Sequence, residues 1–237
     1  AYDVREVTAR LVDASEFLEF KAPYATDTIC GHARLGGHRV GLIGNNGPIQ
    51  PNGSTKAAQF IQLCDQAGVP LVFLQNTTGY MVGTEYEQGG IIKHGALMIN
   101  AVSNSKVPHL TLNVGASYGA GNYGMCGRAY DPRFLFAWPH ARSAVMGPAQ
   151  LAGVMEIISR QAAESKGIAY DEEAAASARM MIEYQIGKES TALAMSGRVY
   201  DDGVIDPRDT RTVLGFCLSA VHSGPVSGAT HYGVFRM

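Results

Sequence analysis

The stretch 106–128, KVPHLTLNVGASYGAGNYGMCGR, decides how the rest of the chain is read. Val107 to Asn113 is an apolar run carrying Val, Leu and Thr with a proline only near its start, and it reads as a buried strand. Five glycines fall between Gly115 and Gly127, interleaved with Ala116, Ser117, Tyr118 and Ala120, so side chains almost vanish where the strand hands over to a helix. Glycine reaches positive φ and has no Cβ, so peptide N–H groups there can approach a bound group closely. A helix starting near Gly121 adds unpaired first-turn N–H groups and the positive end of its dipole. The pattern predicts a cradle for an anion or an oxyanion.

Four readings of that cradle compete. Gly119, Gly121 and Gly124 spell the dinucleotide fingerprint G-x-G-x-x-G, which also needs an acid about 20 residues on, yet the next strand, 134–138, runs into Pro139 and His140. Gly115, Ser117 and Gly119 spell the nucleophile elbow G-x-S-x-G, with Asp201, Asp202, Asp206, His222 and His231 downstream in the hydrolase order, although the further glycines are not needed for it. The third is an oxyanion hole of peptide N–H groups with no side-chain nucleophile. The fourth is close helix–strand packing and nothing more.

A second glycine loop lies upstream. Val69 to Leu74 is another strand opened by Val-Pro, and it runs into the polar loop 76–83, NTTGYMVG. Gly89-Gly90 and a helix over 91–105 then lead to the strand at Val107. The two Val-Pro strands start at 69 and 107, each giving way to a glycine-bearing loop, which predicts a repeated βα unit with parallel neighbouring strands. Ligands of open α/β sheets sit beyond the carboxyl ends of the strands, so both loops are expected to face one bound group together.

Around this centre, residues 1–28 are polar and mixed, with Tyr2, Val4, Val7 and Leu11 on one helix face and Phe17, Leu18 and Phe20 following, as in a linker that packs on something. A hairpin is expected over 30–43 about Gly36-Gly37. Ser54 is expected to cap a helix over 56–68 whose Ala57, Phe60, Ile61 and Cys64 form one stripe and which Gly68 ends. Downstream come a short strand in RSAVMG (142–147), helices over 148–166, 171–187 and 191–196, and a last helix capped by Asp209 or Thr210 and ending at His222, before a Gly/Ser-rich tail and GVFRM.

With 46% hydrophobic and 17% charged residues and a net charge of −2, no basic stripe is offered to nucleic acid and no apolar run spans a bilayer. Cys30, Cys64, Cys126 and Cys217 are widely separated, with no C-x-x-C and no histidine at metal spacing, so they read as reduced packing cysteines and no metal is expected. A catalytic thiol at Cys126, inside the cradle, is the sharper alternative, but the sequence shows no base beside it. No signal-peptide pattern is present and the chain does not begin with Met, as for a piece of something longer. His94 reads as a locally bonded structural histidine, Glu85 and Glu87 as first-turn acids rather than a hydratase pair, and Asp201, Asp202, Asp206 and Asp209 as turn and cap residues.

Four blocks carry a resemblance: VPLVFLQNTTGYMVGTEYEQGGIIKHGA (69–96), KVPHLTLNVGASYGAGNYGMCGRAYDPRFLFAWPHARSAVMG (106–147), SGRVYDDGVIDPRDTR (196–211) and the terminal YGVFRM. Through them the whole chain resembles the C-terminal half of the β-type carboxyltransferase subunits of biotin-dependent acyl-CoA carboxylases, most of all the methylcrotonoyl-CoA and geranyl-CoA branch. The resemblance implies an α/β domain with a crotonase-like spiral of ββα units and flanking helices over 29–237, after a linker and helical segment over 1–28. It implies transfer of a carboxyl group from carboxybiotin on a carrier domain to a branched unsaturated acyl-CoA, with a biotin carboxylase and biotin carrier subunit as partners. The N-terminal half of a partner subunit would bind the thioester, so this half alone is expected to be inactive, and full-length chains would form a dimer-based hexamer in a bacterial cytoplasm or the mitochondrial matrix. Carried over by motif, Ala120 and Gly121 supply the N–H groups that hold the biotin oxyanion, Gly119 permits the approach, and Gly79 and Tyr80 line the site from the other loop, where the family often has Pro-Gly-Phe. Tyr123 matches a position that shapes the acyl pocket, with ordinary core packing as the alternative.

Overall fold

The computed structural model describes residues 2–232, so most of the terminal YGVFRM motif lies outside the described residues. Asp3 caps α1 (Val4–Leu11) by accepting from the Arg5 N–H at 2.9 Å, and the helix buries Val4, Val7 and Leu11 on one stripe. Strand β1 (Phe17–Glu19) pairs antiparallel with β2 (Thr28–Leu35), so the segment before residue 28 supplies both a helix and the sheet's outer strand. The hairpin to β3 (His38–Asn45) turns through Gly36 and Gly37 at φ +59° and +84°, two consecutive positive values that a tight hairpin turn demands.

Helix α2 (Pro51–Gln66) begins ahead of the expected Ser54 cap. Pro51 occupies the first turn, where a fixed φ is already helical and a missing N–H leaves nothing unpaired, while Ser54 Oγ donates to the Gln50 carbonyl from inside the helix. The chain continues through β4 (Leu71–Thr77), α3 (Thr84–Gln88), α4 (Ile91–Asn104), β5 (His109–Tyr118), α5 (Gly119–Gly124), β6 (Phe134–Ala137) and β7 (Arg142–Ala144). Then follow α6 (Pro148–Lys166), α7 (Glu172–Glu189), α8 (Ala192–Ser196) and α9 (Thr210–Val221).

The sheet runs β1-β2-β3-β4-β5-β6, with β3 to β6 parallel as the Val-Pro repeat predicts, and β7 pairs with the far end of the ten-residue β5. Alternation along each strand divides the core. Val72, Leu74, Leu110, Leu112 and Val114 pack with α1 and α9, whereas Leu71 and Phe73 pack with α2 and α4. Gly41 of β3 lets α2 come close, since a Cβ there would stand 2.4 Å from Cys64 Sγ. Helices α6 and α7 stand apart: only Ala152 is buried between them, and Met155, Ile158, Met180, Met181 and Tyr184 remain exposed on a pair joined by Arg160–Glu172 and Arg179–Glu156.

A buried carboxylate closes the layer behind α2. Asp65 accepts from the N–H groups of Lys106 (2.7 Å), Val107 (2.9 Å) and Ala229 (2.8 Å), tying α2, the entry to β5 and the tail together. Burial alone raises its pKa, and those N–H bonds outweigh it, so the carboxyl titrates below the usual range. Asp65→Ala strands three backbone donors and should cost about 3 kcal/mol. Asp65→Asn, which keeps one acceptor oxygen, should cost less. Urea unfolding of the two variants gives the check: an unchanged midpoint for Asp65→Ala would remove Asp65 from this role.

Candidate oxyanion site

Strands β4 and β5 lie side by side in register from Leu71↔His109 to Gln75↔Asn113, so the two glycine loops leave the sheet at the same end, as expected. Thr77 Oγ1 shapes the first loop, accepting from the Gly79 N–H and donating to the Gly79 carbonyl, each at 3.1 Å. The same carbonyl accepts from the Ile49 N–H at 2.9 Å, and Gly79 is held at φ +122°, a conformation closed to other residues without strain.

The second loop turns out of β5 at Gly119, φ +55°, straight into α5. A Cβ at Gly121 would stand 2.8 Å from Gly79 Cα and 3.0 Å from Thr77 Cγ2, so the two loops touch backbone to backbone. Gly124, one turn on along the same helix face, meets Tyr80. Ala120 and Tyr123 are exposed on the other side, Tyr123 by 45%, with its ring edge-on to Tyr130 at 5.9 Å. That exposure is not the core packing weighed for Tyr123.

No side chain caps α5, and at six residues it offers N–H groups more than a long dipole. Those of Ala120 and Gly121 lie in the first turn, where a helix has no internal partner for them. The other end is firmly held. Gln75 Nε2 donates to the Met125 carbonyl at 2.9 Å and Thr111 Oγ1 to the Cys126 carbonyl at 2.7 Å, so two strand side chains satisfy acceptors that the helix leaves over.

Several sequence candidates resolve differently. Ser117 is fully buried within β5, opposite Ser143 of β7, and its hydroxyl accepts from Asn122 Nδ2 at 2.8 Å. The strand continues through Ser117, so no elbow forms there, and the hydrolase partners are engaged elsewhere: His222 stacks on His38 at 4.8 Å and Asp202 accepts from the Leu135 N–H. The ring of Tyr80, a residue expected to line the site, packs between Gly95 of α4 and Gly124 of α5. His94 Nδ1 lies 2.9 Å from Thr55 Oγ1, a local bond of the structural kind, and Glu85 and Glu87 sit exposed in α3.

The base that the sequence did not reveal beside Cys126 is His109, whose Nδ1 lies 3.3 Å from Cys126 Sγ. No short spacing could have shown it, because the first residue of β5 meets the exit of α5 only once the helix folds back. Burial pushes the thiol up to about 12 and the imidazole down to about 4, so the pair is a neutral S–H and a neutral ring, not a thiolate nucleophile. His109 Nε2 reaches Ser105 Oγ at 2.9 Å, and that hydroxyl reaches Asp65 Oδ1 at 3.2 Å, so the site's back wall is wired to the Asp65 clamp.

This arrangement sets a pH dependence. The imidazole titrates at its ordinary 6.5 when unfolded and at about 4 when folded, so between those values the unfolded chain binds the extra proton. Stability is full above about 6.5 and falls as pH drops toward 4, by about 2 kcal/mol at pH 5. In His109→Gln that slope should flatten. An unaltered slope would mean that other groups carry the acid lability.

Comparison with known proteins gives the class first. The chain matches the carboxyl transferase domain family over residues 1–234 and belongs to it. Over all of its length it is 62% identical to a probable biotin-dependent acyl-coenzyme A carboxylase beta2 subunit of Mycobacterium tuberculosis, covering 45% of that protein. It is 50% identical to the mitochondrial methylcrotonoyl-CoA carboxylase beta chain of Arabidopsis thaliana, covering 40% of it. Its fold superposes on the beta subunit of Pseudomonas aeruginosa geranyl-CoA carboxylase with a TM-score of 0.88 at 51% identity, over 97% of this chain and 44% of that one. The expected crotonase-like α/β class is therefore the observed one, and the chain spans less than half the length of these relatives.

Proposed function

We propose that this chain is the biotin-facing half of an acyl-CoA carboxylase carboxyltransferase acting on a branched, α,β-unsaturated acyl-CoA such as 3-methylcrotonoyl-CoA or geranyl-CoA. The observation that carries it is the contact of Gly79 on Gly121, which fixes two bare backbone loops against each other beside the uncapped first turn of α5. Biotin fits such a place because its flat ureido group needs hydrogen-bond donors and close approach rather than a side-chain base. When bound as carboxybiotin, it supplies the carboxyl group and a ureido nitrogen able to take up the substrate's proton.

The chain's own part is positional and electrostatic. The N–H groups of Ala120 and Gly121 would donate to the ureido oxygen of bound biotin, Gly119 turns them into place, and the backbone of Gly79 and Tyr80 would border the opposite side. Tyr123, exposed beside the cradle, faces the acyl chain. The exposed apolar face of α6 and α7 accepts a further part of the full-length protein, in a dimer-based hexamer in which the N-terminal half of a partner subunit binds the CoA thioester and which a biotin carboxylase and biotin carrier subunit serve. No helix among the described residues is long and apolar enough to cross a membrane. In keeping with a bacterial or mitochondrial relative, we place the enzyme in the cytoplasm or the mitochondrial matrix.

Carboxyl transfer, measured from carboxybiotin or to free biotin in the reverse direction, should appear only when the N-terminal half is supplied. Gly121→Val should then lower the rate by about 10²–10³. A complemented rate that survives Gly121→Val would return the glycine loop to a packing role.

A further inference from the structure

The phenol of Tyr80 is out of place for an ordinary core residue. Its hydroxyl is buried with no hydrogen-bond partner among the described residues, and burial raises its pKa. An unsatisfied buried hydroxyl costs free energy that a phenylalanine would avoid, so its presence calls for a geometric account.

Its surroundings supply one. On one side a Cβ at Gly95 of α4 would stand 3.1 Å from Tyr80 Cε1 and 3.4 Å from Cδ1. At the tip, a Cβ at Gly124 of α5 would stand 2.3 Å from the hydroxyl oxygen and 3.1 Å from Cζ, with Met98 Sδ at 3.4 Å. The ring therefore occupies a slot that exists only because both helices present glycine to it. It cannot swing away from one without meeting the other.

Tyr80 also immediately follows Gly79, the residue in contact with Gly121, and Gly124 lies one turn beyond Gly121 on the same face of α5. The loop thus touches the helix at two points. Gly79 on Gly121 is backbone on backbone, and Tyr80 on Gly124 is a rigid side chain on backbone. Two points fix both the separation and the tilt of a short helix, where one would leave it free to rock.

We propose that Tyr80 is a positioning residue: a wedge between α4 and α5 whose length, measured out to its hydroxyl, sets the distance from the Gly79 loop to the N–H groups of Ala120 and Gly121. This rests on the oxyanion reading above. Lengthening the contact on the Gly124 side tilts α5 and displaces those donors. Displacements near an ångström at a reacting centre cost on the order of 10²-fold in rate.

The test is a set of variants in the assembled full-length carboxylase. Gly124→Ala should lower kcat for carboxyl transfer about 10²-fold with little change in the KM for acyl-CoA. Adding Tyr80→Phe removes the oxygen that a Cβ at Gly124 would strike, so Gly124→Ala should cost at least about tenfold less in the Tyr80→Phe background than in the wild type. Gly95→Ala meets ring carbons that phenylalanine retains, so Tyr80→Phe should give it no relief. If Gly124→Ala does not assemble, Gly95→Ala combined with Tyr80→Leu, which removes the ring altogether, carries the same comparison of kcat against KM.

Equal costs for Gly124→Ala in both backgrounds would overturn the wedge, as would relief of Gly95→Ala by Tyr80→Phe. Gly121→Val separates this from a failure of the underlying reading. If that variant loses activity while Gly124→Ala and Tyr80→Phe show no coupling, the cradle stands and the wedge falls.

Discussion

Gly79 lying directly on Gly121 is the constraint around which the molecule is arranged. Adjacent parallel strands hold their backbones only about 4.8 Å apart, and chains leaving neighbouring strands at the same end normally diverge to make room for side chains. Here they stay together because neither residue has a Cβ, and because Gly79 adopts a φ of +122° that an L side chain would resist. Thr77 and Ile49 use up the donor and acceptor of Gly79, so the loop cannot relax by rearranging its hydrogen bonds. The short helix on the other side is pinned at its exit by Gln75 and Thr111. Both strands beneath the site thus contribute polar side chains whose only evident task is to hold the helix that follows β5.

The rest of the core can be understood as support for that contact. The apolar alternation of β3, β4 and β5 places one set of side chains on α1 and α9 and the other on α2 and α4, and the sheet cannot shift register by one residue without exposing both. One set of buried polar groups forms a connected line, from Cys126 through His109 and Ser105 to Asp65, and from Asp65 to the tail at Ala229. Each link leaves the next with a partner, which is how a low-dielectric interior tolerates so many heteroatoms. The price is acid sensitivity, because the line depends on a neutral imidazole.

The strands, the hairpin, the parallel repeat and the two glycine loops were legible in the sequence because each is written locally: Val-Pro openings, glycine punctuation and period-two apolar runs all act over a few residues. The readings that the structure altered depend on contacts between distant segments. Ser117 has the local dress of an elbow, but whether a strand continues through it is decided by pairing with β7, and Ser143 lies 26 residues away. Asp65 carries no local mark of its role, since one of its donors, Ala229, lies 164 residues on. Tyr80 lies in a loop that the sequence marks plainly, yet the direction of its ring is set by glycines on two later helices.

An oxyanion site made of peptide N–H groups has a particular dependence on its frame. A side-chain catalyst can search rotamers to meet its substrate, whereas a backbone donor moves only if its whole element moves. Precision must therefore come from packing, and packing here means the absence of side chains at 79, 121 and 124 together with the one large ring at 80. The residues around the two loops can hold and polarise, while the titratable groups described beside them serve the frame: His94 is bonded to Thr55, and burial keeps both Cys126 and His109 neutral. In the carboxyltransferase we propose, a second surface would bring the substrate to the exposed side of α5, and the uncovered apolar face of α6 and α7 is where this half would receive one.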